Sequence, residues 1–360
     1  MGFQLSPGVN VTETDLTTII PAVATTAAAF AGKFQWGPVD EITLITKENQ
    51  LRTVFGGPVD ENAIDWFVAA SFLSYGNNLQ VVRTQGAGMV NASVDASTDG
   101  FIKNEEDYLN HSTSVLEGFG EFIAKYPGEL GNALSVVIID SDDGLATTDI
   151  ATDGTESVNG VLDSDRAGFL TEFDAAPGTS DRAAAVTGSS TVDDEIHILV
   201  LDKTGAWTGS KDTVLEKFAF VSKASNATKS DGTSNYYKDV INKTSQYIWW
   251  GKHADVDHTD TGTTAWGSEL TDSVTQFKQL DDAYQRFDLT GGAADLESTN
   301  GDDAIDAFET HFANASVTDV SLLITGDMTA TQQQSIVDIA DERKDCIAFL
   351  SCREGSGSHS

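Results

Sequence analysis

Residues 320–351 read as an apolar run, VSLLITG, then TQQQSIVDIADERK at helical period, then a second apolar run, CIAFLS. Two runs that are apolar without alternation, joined by a helix, describe a βαβ crossover with parallel strands covered on both faces. One such unit cannot close a sheet alone. The helix DAIDAFETHF (303–312), with Ile305, Phe308 and Phe312 on one face, precedes it. Complementary text lies near the other end of the chain. ITLIT (42–46) predicts a strand, KENQLRTVFGG a short helix ended by Gly56-Gly57-Pro58, and LQVVRT (79–84) another strand. Between them DENAIDWFVAASFLSY (60–75) predicts a helix capped by Asp60 and stopped at Gly76, with Ile64, Phe67, Val68 and Phe72 as its inner stripe. The expected fold is α/β within a mixed α+β chain: one sheet domain split between residues 23–85 and 302–352.

Residues 86–301 have a different texture, with Gly, Asp, Ser and Thr clusters separating short strands such as LSVVIID (134–140) and EIHILVLD (195–202). They are expected to form an inserted, mostly β domain with acidic loops. Residues 1–22 predict an extended arm: Val9 and Val11 alternate with polar residues after a Pro-Gly turn, but no core flanks them. Such an arm needs a sheet from elsewhere, and Leu5, Pro7, Val9 and Val11 are its candidate self-assembly residues. Residues 353–360 read as a terminal tail or linker.

The chain carries 56 acidic against 21 basic side chains, a net charge of −35. That sign repels phosphate backbones, so nucleic acid and anionic membrane are not expected partners. Residues 1–85 hold 8 acidic and 4 basic side chains, whereas 86–301 hold 37 and 14. The first segment is the least charged for its length and the one expected to be buried in an assembly. Two cysteines, Cys346 and Cys352, give no disulfide framework. IIPAVATTAAAFAG is broken by Pro21 and follows no basic region, so neither a signal peptide nor direct membrane insertion is expected, and synthesis is assigned to a cytoplasm.

The best catalytic candidate is HADVDH, where His253, Asp255, Asp257 and His258 follow the apolar YIWW. Its spacing resembles the H-x-H-x-D-H of metallo-β-lactamase-like hydrolases, with Asp255 in place of the middle histidine, and would make the chain an acidic metal-dependent hydrolase. The remaining histidines stand in no motif that completes the ligand set, so an acidic loop is the favoured reading. GAWTGSKD (205–212) lacks the spacing of a phosphate loop and reads as a hairpin connection. DSDDG (140–144) lacks the ligand alternation of a calcium loop. No catalytic, cofactor-binding or metal residue is assigned, and no cofactor is expected.

Several stretches carry a resemblance. SPGVNVTETD, AAFAGKFQWGPVDEITLITKENQLRTVFGGP, FLSYGNNLQVVRTQ, YPGELGNALSVVI, APGTSDRAA, DLTGG and DERKDCIAFLSCRE occur in this order. Together they resemble the sheath proteins of contractile-tail bacteriophages of the large myovirus type, discontinuously from residue 1 to about 354. GKFQWGP and YPGELGN are the most specific, and Lys33, Phe34, Trp36, Gly37, Pro38, Tyr126, Pro127, Gly128 and Gly131 are their structural residues. The resemblance implies a strand and turn at FAGKFQWGP, with Phe34 and Trp36 packing in the core or in a subunit contact and Gly37-Pro38 turning the chain.

The resemblance further implies a mechanical subunit that polymerises with other copies of itself in a helical sheath around a tail tube protein, between baseplate and tail terminator proteins. Its contraction would drive the tube through the host envelope. The arm would add a strand to a neighbour, the location would be the virion, and synthesis would be in the host cytoplasm. The sheath of a bacterial contractile injection system is the alternative within this class. Two departures stand out. Only about 40 residues separate VVRTQ from YPGELGN, where larger relatives insert an outward-facing domain. The chain also stops at REGSGSHS, expected to be a linker, tag remnant or cut gene, where family members continue into a C-terminal domain.

Overall fold

Ala28–Gly32 (β1) lies at the centre of a five-stranded sheet drawn from both ends of the chain. The computed structural model describes residues 26–97, 100–141, 172–255, 262–280 and 284–351, together with the backbone of Ser157–Val158 and Val161–Leu162. The arm residues Leu5, Pro7, Val9 and Val11, and also Cys352, Asp257 and His258, lie outside the described residues.

The sheet contains Thr43–Ile45 (β2), Leu79–Arg83 (β3), Leu322–Ile324 (β12) and Ile347–Phe349 (β13), in the order β13-β12-β1-β3-β2. β1 runs parallel to β3, with Ala28 opposite Leu79, and parallel to β12, with Ala28 opposite Leu322. β12 and β13 are also parallel, while β2 is antiparallel to β3. Alternation along β1 feeds two cores. Ala28 and Phe30 face helices α1 (Glu48–Phe55) and α2 (Ala63–Leu73). Ala29 and Ala31 join the core that includes Phe308, Phe312, Ile336 and Ile339, from the segment of helices α7 (Gly301–His311) and α8 (Ala330–Arg343).

Two sequence expectations are corrected here. α2 begins at Ala63 after Asn62, so Asp60 is not its cap. Its buried residues are Asp65, Trp66, Ala69 and Ala70, whereas Ile64 and Phe67 are 51% and 55% exposed. The helix is apolar nearly all round, so period alone does not choose the face. CIAFLS, expected to be a buried strand, forms the sheet edge, where Ile347 and Phe349 are 64% and 53% exposed.

In the middle of the chain, Tyr284–Asp288 (β11), Leu134–Ile139 (β5), Glu195–Asp202 (β8) and Thr213–Ser222 (β9) form an antiparallel sheet in the order β11-β5-β8-β9. Phe122–Ala124 (β4) pairs with Ile248–Trp250 (β10), and Ser157–Val158 (β6) with Val161–Leu162 (β7). Short helices α3 (Glu105–Asn110), α4 (Thr113–Leu116), α5 (Asp181–Thr187) and α6 (Tyr237–Thr244) decorate this part. Its main core gathers Val136, Ile138, Ile196, Ile198, Val200 and Trp250. Among the described residues no helix is long and apolar enough to cross a membrane.

Candidate functional site

The chain leaves β1 through GKFQWGP, and each residue of that stretch has a separate task. The Lys33 amide donates to Asp65 Oδ2 at 3.0 Å, and Asp65 Oδ1 accepts from the Asp327 amide at 2.6 Å. One carboxylate on α2 thereby ties the ends of β1 and β12 together. Burial pushes the Asp65 carboxyl above its usual range, against the two amides that favour its charge. The Lys33 ammonium stands 3.7 Å from Asp327.

Phe34 meets Phe55 at 4.8 Å with the rings tilted by 31° and Phe30 edge-on at 6.1 Å, inside the core shared with α1 and α2. Trp36 instead enters the core of the central region, edge-on to Tyr126 at 5.6 Å and to Trp207 at 5.1 Å. Gly37 turns the chain at φ 98°, where a Cβ would lie 2.7 Å from the Val54 carbonyl oxygen. Its own carbonyl accepts from Arg83 Nη1 at 2.9 Å. Pro38 is buried. Asp40, at φ 57°, accepts at 2.8 Å from His311 Nε2 on α7, and Lys103 lies 3.5 Å away.

YPGELGN docks on the same turn. Gly128, at φ 151°, sits where a Cβ would come within 2.2 Å of the Gln35 carbonyl oxygen. A Cβ on Gly131 would be 2.9 Å from Ala92 and Ala124. Pro127 is buried and Tyr126 half-buried, with burial pushing the Tyr126 hydroxyl up to about 12. Trp36, Tyr126, Gly128 and Gly131 thus meet at one joint between the five-stranded sheet and the central region, while Lys33 and Phe34 pack on the sheet side of it.

Trp207, the third aromatic of the joint, was not singled out in the sequence. It sits in the β8–β9 connection, which is the hairpin expected for GAWTGSKD. Buried Asp202 accepts from the amides of Gly205, Trp207 and Thr208 at 2.8 to 2.9 Å and fixes that hairpin. An Asp three residues before Gly-x-Trp is the signal that could have located it.

The hydrolase candidate is built into the fold. His253 Nδ1 lies 2.6 Å from the Tyr237 hydroxyl and Nε2 lies 3.4 Å from that of Tyr236, and burial lowers the imidazole to about 4. Asp255 is buried and accepts from the Trp266 amide at 2.9 Å. Both groups are engaged by neighbouring side chains and backbone, and no cluster of three metal-ligating residues occurs among the described residues.

Comparison with known proteins bears on the same segment. Residues 25–84 match the family described as tail sheath protein Gp18, domain III N-terminal region. The tail sheath protein of Enterobacteria phage T4 is 48% identical over 80 residues, 22% of this chain and 12% of its own length. That of Salmonella phage ViI is 25% identical over 416 aligned residues, covering 97% of this chain. The chain is similar to phage tail sheath proteins over these stretches. It spans 60% of the ViI sheath protein's length. A solved sheath tail protein from Desulfitobacterium hafniense aligns with 95% of this chain and 52% of its own length, at 9% identity and a TM-score of 0.41. The family match falls on β1, β2, β3, α1 and α2.

Proposed function

We propose that this chain is a structural subunit of a contractile phage tail sheath, non-enzymatic, whose copies polymerise around a tail tube and contract to drive it through the host envelope. The observation that carries the reading is the sheath-family match over residues 25–84. A sheet edge supports it: among the described residues β13 has a neighbouring strand on one side alone, and strand addition uses the backbone N–H and C=O groups left unpaired along such an edge. The arm around Leu5, Pro7, Val9 and Val11 is the segment proposed to supply such a strand to a neighbouring copy. We further propose that 23–85 and 302–352 act as one domain carrying 86–301 as an insertion, since neither end supplies the sheet alone.

In this reading the remaining partners are the tail tube, baseplate and tail terminator proteins, the location is the virion, and synthesis is in the host cytoplasm. Work comes from the free-energy difference between two packings of the same subunits. Like-charged subunits repel, and screening shortens that repulsion from about 30 Å at 0.01 M salt to about 8 Å at 0.15 M. Negative-stain imaging and sedimentation of the protein, at a chain length matching its relatives, test the reading across that range. Tubular polymers that grow with salt are expected. A protein that stays monomeric throughout, or whose polymers dissolve as salt rises, would overturn the assembly reading or its charge argument respectively.

A further inference from the structure

The central region contains a cavity of about 670 Å³ between α5, the start of β8, the end of β9 and the 227–235 loop. It is lined by Asp181, Arg182, Glu195, Phe220, Lys229 and Asn235 among others. Its floor is rigid. Ala219 and Phe220 together stand opposite His197, a bulge that puts Phe220 at φ 52°, a conformation costly for an aromatic residue. The strained peptide is held on both sides: its amide donates to His197 Nδ1 at 3.0 Å, and its carbonyl accepts from Asn235 Nδ2 at 2.8 Å. Buried Asp194 accepts from the Ser180 amide and hydroxyl at 2.8 and 2.9 Å and fixes the start of α5 on the other wall.

Two cations converge on this cavity. Arg182 and Lys229 are exposed, and neither has an ion-pair partner within 4 Å among the described residues, although Asp231 lies two residues from Lys229. In a chain with 56 acidic and 21 basic side chains, two such cations on one preformed cavity are scarce landing points for carboxylates. We propose that the cavity receives an acidic segment of a second copy of this chain, with Arg182 and Lys229 as the residues that bind its carboxylates. The inference rests on the self-assembly reading above and adds a contact to it.

The carboxylates on the cavity wall set a pH dependence. Asp181 precedes Arg182, and Glu195 accepts from the Gly178 amide at 3.3 Å. Burial, with Asp194 and Asp181 nearby, pushes the Glu195 carboxyl up to about 7. Below that value Glu195 is neutral and Arg182 and Lys229 face an incoming carboxylate with less opposition. Above it, Glu195 repels the same group.

The test is fluorescence anisotropy of labelled hexaglutamate titrated with the full chain at low salt. Saturable binding is expected, weakened about tenfold by Arg182→Ala with Lys229→Ala and unchanged by Lys243→Ala on α6. It should weaken from pH 6 to pH 8, and Glu195→Gln should remove that dependence. Thermal unfolding confirms that each variant is folded. No saturable binding to the parent, or binding indifferent to the double substitution, overturns the proposal. Tubular polymers formed without peptide binding would reject the cavity and leave the sheath reading; peptide binding without polymers would overturn the sheath reading and, with it, a second copy as the cavity's occupant.

Discussion

Phe34 and Trp36 stand two residues apart and enter different hydrophobic cores. Phe34 packs with Phe55 on the face of the five-stranded sheet, and Trp36 packs with Tyr126 and Trp207 in the central region. The turn at Gln35 and Gly37 makes this possible, because in a continuing strand residues two apart would share a face. Trp36→Ala should therefore destabilise the protein by about 3–5 kcal/mol, read from the midpoint of urea unfolding. Separation of the transition into two steps is expected as well, since the residue joins two cores. A loss below about 1 kcal/mol would show that Trp36 does not hold the joint.

Asp65 ties α2 to the ends of β1 and β12 through the amides of Lys33 and Asp327. Asp65→Ala leaves two amides without their acceptor and should cost about 2–4 kcal/mol. Hydrogen exchange of the Lys33 and Asp327 amides is the direct readout. Both should exchange faster in the variant, and protection equal to the parent's would refute the tie.

Arg83 is fully buried, and its Nε and Nη2 have no hydrogen-bond partner among the described residues, while Nη1 donates to Gly37. Burial lowers the guanidinium from its ordinary, higher value to about 9. Because the unfolded chain binds this proton more readily, the charge opposes folding at every pH below about 9. Arg83→Met should raise stability at pH 7 by about 1 kcal/mol, even with the Gly37 carbonyl released. A lower unfolding midpoint in the variant would mean that the guanidinium contributes more to the turn than its burial costs.

Glu195 gives a stability prediction of its own. Its carboxyl is raised from 4.5 to about 7 in the folded chain, so the fold holds a proton that the unfolded chain has lost in between. The contribution is full below pH 4.5 and disappears as pH rises through about 7. Relative to the parent, Glu195→Gln should gain stability between pH 4.5 and pH 8, by about 1 kcal/mol once solvent screening at this half-buried site is included. Parallel urea midpoints for the two proteins at both pH values would contradict it.

What the sequence revealed follows from where one physical signal dominates. The run from VSLLITG to CIAFLS contains a parallel crossover because two apolar segments flank a capped helix, and β12, α8 and β13 realise it. Apolar content alone does not say whether a strand is central or at an edge, which is why β13 was expected to be covered. β1 shows the converse. AAFAG has little strand character, yet it occupies the sheet centre because small residues fit between helices on both faces. At the joint, Trp36 and Tyr126 were marked by resemblance, while Trp207 depended on an Asp202-centred turn that periodicity cannot register.

The pairing of Ala28 with Leu322 also sets a clock on synthesis. The central strand emerges from the ribosome early, but one of its two neighbours is still 294 residues away, counting from Ala28 to Leu322. At about 5–20 residues per second, roughly 15–60 s pass before that flank can close. During this interval β1 can take β3 as a partner but not β12, and α7 and α8 have not been made. A nascent chain therefore cannot present the edge at β13, because β13 has no sheet to extend until β12 has docked. Any contact made through that edge therefore has to wait until β12 and β13 have been synthesised, long after β1 and β3 have paired.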